Sequence, residues 1–186
     1  MSHFSHIAVI MIAKSPIAVV IDAVHETLLG FDYVLGFGGD YMSFHDIETN
    51  EEFDEECRDL GTAEEANEAL KDLRNHRTGG LVKYAMPPIE FNKEGFPIGH
   101  GFSISYCSYD DLTIEALICW TREDVYEMEK EFLDATYAAI AKKVNCLDVF
   151  HGVDYDSDDS FDENRIIEHF FEGNPEVKYR YNFPAE

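Results

Sequence analysis

The apolar run at residues 7–13 (IAVIMIA) constrains the fold more than any other stretch of the chain. A strand with one face in water alternates polar and apolar side chains, whereas this run has no polar position on either face. The sequence therefore predicts a fully buried strand near the start of the chain. Such a strand needs a substantial core, and 45% of the 186 residues are hydrophobic, which argues against disorder.

Periodic patterns further along the chain predict a mixture of helices and strands. Residues 17–28 repeat apolar side chains at helical spacing, and Gly30 follows them. Residues 102–107 alternate apolar and polar side chains, and residues 113–120 follow after a turn, which predicts an antiparallel hairpin. Residues 177–183 alternate in the same way and predict a further strand.

Capping patterns predict three further helices. Each pairs a Ser or Thr with an acidic residue three positions on: Thr62 with Glu65, Thr121 with Asp124, and Ser160 with Glu163. The second of these helices is predicted to run to residue 144, with Met128 in its buried stripe. We expect one domain over residues 1–186, with a subdomain boundary near residues 76–80 as the alternative. The predicted fold class is α+β, a mostly antiparallel mixed sheet with helices packed mainly on one face.

Charge limits the partners that such a domain can have. The chain has 38 acidic residues against 14 Lys and Arg, a formal net charge of −24. This surface repels nucleic acids and anionic membranes, and it attracts basic proteins or cations. Lys14, Pro16 and Asp22 interrupt the apolar N-terminal stretch, and no basic start of a signal peptide precedes it. We therefore expect a cytoplasmic protein with no direct nucleic-acid or membrane partner.

The carboxylates concentrate in three tracts, at residues 40–68, 110–134 and 154–163. An aromatic side chain lies inside the first tract, and carboxylates around an aromatic anchor suit a binding face for a basic protein. A solvated loop and an outer helix face are the alternative explanation of such a tract. The residues predicted to contact the partner are Glu51, Glu52, Phe53, Asp54, Glu55, Glu56, Asp154, Asp156, Asp158, Asp159 and Asp162.

The third tract also has part of the spacing of a cation-binding loop. Asp154, Asp156 and Asp158 alternate as the first ligands of a calcium loop do, and His151 precedes them. The match ends where the calcium loop requires a glycine and, later, a bidentate glutamate, because this chain has Asp159 and Arg165 there. We therefore predict no cofactor. The alternative is calcium or another divalent cation bound by His151, Asp154, Asp156 and Asp158.

The sequence lacks several common catalytic motifs. It contains no nucleophile elbow, phosphate-binding loop or zinc-protease motif, so we expect a protein that is not an enzyme. In size and charge it resembles the small acidic immunity proteins of bacterial toxin systems, although no motif is shared. That resemblance implies a soluble inhibitor that masks a basic toxin or nuclease. The alternatives are a metal-binding or enzymatic domain, a DNA mimic directed against restriction enzymes, and an assembly protein that forms homo-oligomers.

Overall fold

The structure, a computed structural model, describes residues 5–35, 40–46, 58–60, 63–75, 78–85, 90–91, 97–98, 101–109, 114–154 and 161–184. The strands are β1 (His6–Ala13), β2 (Val34–Leu35), β3 (Asp40–Asp46), β4 (Arg58–Leu60), β5 (Thr78–Ala85), β6 (Glu90–Phe91), β7 (Pro97–Ile98), β8 (Gly101–Tyr109), β9 (Ile114–Arg122) and β10 (Cys146–Asp154). The helices are α1 (Ile17–Gly30), α2 (Ala63–Asn75), α3 (Glu123–Met128), α4 (Lys130–Lys143) and α5 (Glu163–Phe171), and a short 3-10 helix spans Val177–Tyr179.

The sheet is antiparallel at every pairing among these strands. Its strand order is β10-β1-β9-β8-β5-β3-β4, with β2 beside β5, while β6 and β7 form a separate pair. The predicted hairpin is confirmed, because β8 and β9 pair in register from Ser103 opposite Trp120 to Tyr109 opposite Ile114. The fold is α+β, as the sequence predicts.

Strand β1 is buried on both faces. Ile7, Val9 and Met11 belong to the larger core cluster, which α1, α3 and α4 cover. Ala8, Ile10 and Ile12 belong to a second cluster, which α5 covers from the other side. Most helices therefore share one face of the sheet, and α5 supplies the cover that a strand without a polar face requires. No helix in the described ranges is long and apolar enough to cross a membrane.

The prediction of one long helix from Thr121 is wrong. Thr121 is a strand residue, because β9 stays paired with β1 as far as Arg122 opposite His6. Its buried hydroxyl hydrogen-bonds to the hydroxyl of Tyr137 rather than capping a helix. The helical stretch is also divided at Glu129, which lies between the end of α3 at Met128 and the start of α4 at Lys130. Within α3 the buried residue is Tyr126, and Met128 is 71% exposed instead of lying in the buried stripe predicted for it.

The last predicted strand is replaced by other local structure. Residues Val177–Tyr179 form the 3-10 helix, and Arg180 makes an isolated antiparallel bridge to Phe150 of β10. Tyr179 packs against the second core cluster and Phe183 against the larger one, so the apolar side chains of this stretch do not share one face as they would in a regular strand. Helix α5 is confirmed, but its cap is Asp162 and the predicted capping by Ser160 is wrong. Ser160 itself lies outside the described residues.

Gly152 of β10 allows α5 to close on the sheet, and its replacement provides a test of this packing. A Cβ atom at position 152 would lie 2.1 Å from Cδ2 of Phe161, a side chain that is itself buried. We expect Gly152→Ala to lower the free energy of unfolding by about 1–3 kcal/mol, because the ring must shift in a packed core. Urea denaturation measures the change.

The matched control for this test is Gly30→Ala, at the end of α1. A Cβ atom there would meet nothing within 4 Å. The control variant should stay within about 1 kcal/mol of the wild type, and alanine in a helix tends to raise stability. Equal stability of the two alanine variants would contradict the proposed packing of Phe161 on Gly152.

Candidate functional site

The junction of α3 and α4 combines acidic residues with an exposed methionine. Residues 122–134, here called the acidic junction, contain six carboxylates and two bases, a formal net charge of −4. Met128 at the end of α3 is 71% exposed, although methionine is ordinarily a buried residue. Glu127 precedes it and Glu129 follows it in the chain. An apolar side chain is thus presented to solvent among carboxylates.

Both bases of the acidic junction are neutralised within it. The Arg122 guanidinium donates two hydrogen bonds to Asp124, at 3.0 and 2.6 Å, and these bonds oppose a small burial effect to lower the pKa of the Asp124 carboxyl. The ammonium of Lys130 pairs with Asp134 one helical turn away. Since each base is matched by one carboxylate, the remaining glutamates determine the sign of the surface potential.

Asp134 is the centre of a buried polar cluster rather than a surface charge. Its side chain is only 5% exposed. It accepts hydrogen bonds from the hydroxyls of Tyr126 at 2.7 Å and Tyr181 at 2.9 Å, as well as from Lys130. Burial alone would raise its pKa, but the three donors outweigh burial and hold the pKa of this carboxyl below its usual range.

Lys130 and His151 complete the polar cluster. Besides Asp134, the Lys130 ammonium reaches the hydroxyls of Tyr126 at 3.2 Å and Tyr181 at 2.8 Å, so its donors are directed inward. The His151 ring lies between the same two aromatic rings, with centroids 5.3 Å from Tyr126 and 4.7 Å from Tyr181. Burial lowers the pKa of His151, Lys130 lowers it further, and Asp134 opposes them. The cluster thus joins α3, α4, β10 and the stretch that contains Tyr181.

The structure places His151 in this aromatic stack and leaves the other predicted cation ligands untested. Asp154 ends β10, where its backbone pairs with His6 of β1, and Asp156 and Asp158 lie outside the described residues. Within the described ranges, no group of three or more His, Cys, Asp or Glu residues is arranged to hold a metal ion. The contacts that the structure shows for the His151 ring are with Tyr126 and Tyr181.

The predicted partner-binding residues fall mostly outside the described ranges. These are Glu51, Glu52, Phe53, Asp54, Glu55, Glu56, Asp156, Asp158 and Asp159. Asp162 is described, and its carboxylate accepts a hydrogen bond from the backbone N–H of Arg165 at 3.1 Å as the cap of α5. A capping role accounts for this aspartate locally, although its exposed position leaves it accessible to a partner.

The strands next in sequence to the two halves of the predicted interface lie at opposite edges of the sheet. Strand β4, which follows residues 51–57, is at one end of the strand order, and β10, which leads into residues 155–160, is at the other. Six strand spacings of about 4.8 Å separate these edges, roughly 29 Å measured along the sheet. The anchoring strands therefore do not bring the first and third acidic tracts side by side.

Sequence reasoning missed the exposed methionine and the role of Tyr181. The spacing of Tyr126, Lys130 and Asp134, four residues apart on successive turns, was the available signal for the polar cluster. Comparison of the chain with protein-family models, curated proteins and solved structures finds no match in any of the three.

Asp134→Asn tests the energetic contribution of the polar cluster. We expect the free energy of unfolding to fall by about 1–3 kcal/mol, because the variant leaves the Lys130 charge without its buried carboxylate partner. The matched control is Glu131→Gln, which removes the same charge from an exposed position and should stay within about 0.5 kcal/mol of the wild type. Chemical denaturation measures both, and similar losses in the two variants would contradict a special role for Asp134.

The lowered pKa of His151 predicts a pH dependence of stability. Its folded pKa lies below the ordinary value of 6.5, so the unfolded chain binds more protons as the pH falls through that range. The stabilisation is fully present above about pH 6.5 and is lost as the pH approaches the folded pKa. Between about pH 7.5 and about pH 5.5, the free energy of unfolding should therefore fall more in the wild type than in His151→Phe. Parallel profiles for the two proteins would show that His151 is not the titrating group.

Proposed function

We propose that this chain is an acidic binding protein that docks on a basic partner protein and masks it, as an immunity-type inhibitor of a cationic toxin or nuclease. The observation that supports the proposal is that many of the few basic residues form ion pairs with carboxylates of the same chain. The described ion pairs are Lys71–Glu68, Arg74–Asp22, Arg122–Asp124, Lys130–Asp134, Lys143–Glu26, Arg165–Glu176 and Arg180–Asp148.

Internal pairing of the bases leaves the net charge unchanged but holds their cationic groups on carboxylates of the same chain. A base engaged with a carboxylate of its own chain cancels one negative charge locally and does not extend into solvent as an independent cation. The surplus of acidic residues then faces outward with little to oppose it. A surface of this kind accelerates association with a basic protein and disfavours acidic ones.

Met128 supports the acidic junction as part of the docking surface. Interfaces commonly have an apolar anchor at their centre and charged residues around it. The methionine is 71% exposed, and its long unbranched side chain adapts to an irregular apolar pocket on a partner. Residues 51–56, with Phe53 among carboxylates, offer the same combination in sequence and remain part of the proposal.

The distribution of charge favours a protein partner over a DNA-mimic role. A mimic of nucleic acid requires carboxylates in one continuous array that follows the spacing of phosphates. Here the strands that anchor the first and third tracts are at opposite edges of the sheet, and α5 covers the face opposite to α3 and α4. A partner protein needs only one of these surfaces.

Salt-dependent binding and inhibition test this proposal. The probes are purified cationic nuclease domains, with polylysine as a polycation that lacks a specific surface. We expect one nuclease to be bound more tightly than polylysine and to lose activity, with affinity falling about tenfold or more from about 0.05 M to about 0.5 M salt. Affinity that does not respond to salt, or binding that leaves the nuclease active, would contradict the masking mechanism.

A matched pair of charge variants locates the interface. The double variant Glu127→Gln, Glu131→Gln should weaken binding about tenfold, and adding Met128→Ala should weaken it further. The control is Glu168→Gln, Glu172→Gln, which removes the same charge from exposed positions at the end of α5, on the opposite side of the sheet. Equal losses in the two double variants would indicate a general charge effect and would exclude the acidic junction as the contact surface.

A further inference from the structure

Residues 177–184, here called the edge segment, lie along the open side of β10. Among the described strands β10 is the last in the sheet order, and β1 pairs with one of its sides. Arg180 of the edge segment bridges to Phe150, and the backbone N–H of Tyr181 donates to the carbonyl of Val149 at 2.9 Å. The edge segment thus contacts β10 where a further strand of the sheet would begin.

The side chains of Arg180 and Tyr181 in the edge segment contact different residues. Arg180 Nε donates to Asp148 Oδ2 at 2.9 Å. The Tyr181 ring stacks on His151 at 4.7 Å and 25°, and its hydroxyl lies 2.9 Å from Asp134 Oδ2. Strands that add to a sheet edge also combine backbone contacts, which supply affinity, with side-chain contacts, which supply specificity.

The edge segment differs in charge from the rest of the molecule. It contains Lys178 and Arg180 and no carboxylate, whereas the whole chain has a formal net charge of −24. It also contains three aromatic residues, and Tyr179 packs edge-on against Phe161 at 5.1 Å. In composition it is a basic, aromatic peptide bound to an acidic protein.

Pairing between the edge segment and β10 ends early. Residues Val177–Tyr179 turn into the 3-10 helix, so within the described part of the chain the segment pairs with β10 only around Val149 and Phe150. Backbone groups of alternate residues face the same side of a strand, so those of His151 and Val153 face the same side as the Val149 carbonyl. A longer extended peptide can continue the pairing where the edge segment stops.

We propose that the open side of β10 at residues 148–151 is a docking site for an extended basic segment of the partner, with an Arg-aromatic pair in the places of Arg180 and Tyr181. The edge segment occupies this site within the same chain and limits access to it. This inference rests on the proposed function, because a basic partner supplies the segment. A segment tethered to its own site has an effective concentration on the order of millimolar, so a partner must make additional contacts to replace it.

Peptide binding to a variant with a weakened edge segment tests the proposal. The probe is a fluorescent synthetic peptide with the sequence of residues 176–184 (EVKYRYNFP). Fluorescence anisotropy compares the full-length wild type with the double variant Arg180→Ala, Tyr181→Ala. We expect the double variant to bind the peptide about tenfold more tightly, because its own segment competes less. Adding Asp148→Asn should abolish this gain.

Controls distinguish the docking site from unspecific attraction of a basic peptide. A peptide with Glu in the place of Arg180 and Ser in the place of Tyr181 should not bind. If the double variant unfolds, as judged by circular dichroism, Tyr181→Phe replaces it, since that variant keeps the ring and loses only the hydroxyl contacts. A folded variant that binds the peptide no better than the wild type would overturn the proposal, as would equal binding of the control peptide.

Two further measurements separate this inference from its alternatives. Sedimentation velocity of the wild type should show a monomer, whereas a dimer that Arg180→Ala abolishes would assign the site to a second copy of this chain and overturn the partner version. Glu127→Gln, Glu131→Gln should leave peptide binding unchanged, because the residues of the acidic junction that contact Tyr181 are Lys130 and Asp134. Failure of the peptide experiment alone therefore refutes the docking site and leaves the salt-dependent masking of a basic protein intact.

Discussion

Strand β1 is buried on both faces, and each face needs its own cover. Its neighbours β9 and β10 satisfy its backbone groups, while α1, α3 and α4 close one face and α5 closes the other. The position of α5 in turn depends on Gly152, where the Phe161 ring occupies the space of a missing side chain. Since burial of apolar surface is the main favourable term in folding, this central strand organises the layers around it.

Many of the few basic residues of the chain form ion pairs with its own carboxylates, and the acidic residues are in large excess. The bases join neighbouring elements: Arg74 of α2 meets Asp22 of α1, and Lys143 of α4 meets Glu26 of α1. Exposed pairs of this kind contribute only about 0–1 kcal/mol each, so their main effect is to reduce repulsion between helices of an acidic protein. The carboxylates that remain make the outer surface strongly anionic.

The polar cluster at Asp134 connects the two proposed binding surfaces without merging them. Lys130 of the acidic junction and Tyr181 of the edge segment share the same carboxylate. Movement of Tyr181 away from Asp134 would remove one of the three donors that hold this carboxylate in its ionised form. Displacement of the edge segment and the charge state beneath the acidic junction are therefore physically linked.

Periodicity and composition were sufficient to predict the buried strand, the β8–β9 hairpin, the α+β class and the excess of negative charge. Thr121 belongs to β9, Met128 is exposed and residues 177–179 form a 3-10 helix, none of which the local pattern predicted, because strand pairing and tertiary contacts override it. Only the tertiary structure gathered Tyr126, His151 and Tyr181 around Asp134, since long-range contacts leave little trace in local spacing. It also decided that the strands anchoring two acidic tracts stand at opposite edges, because strand order is a property of the whole sheet.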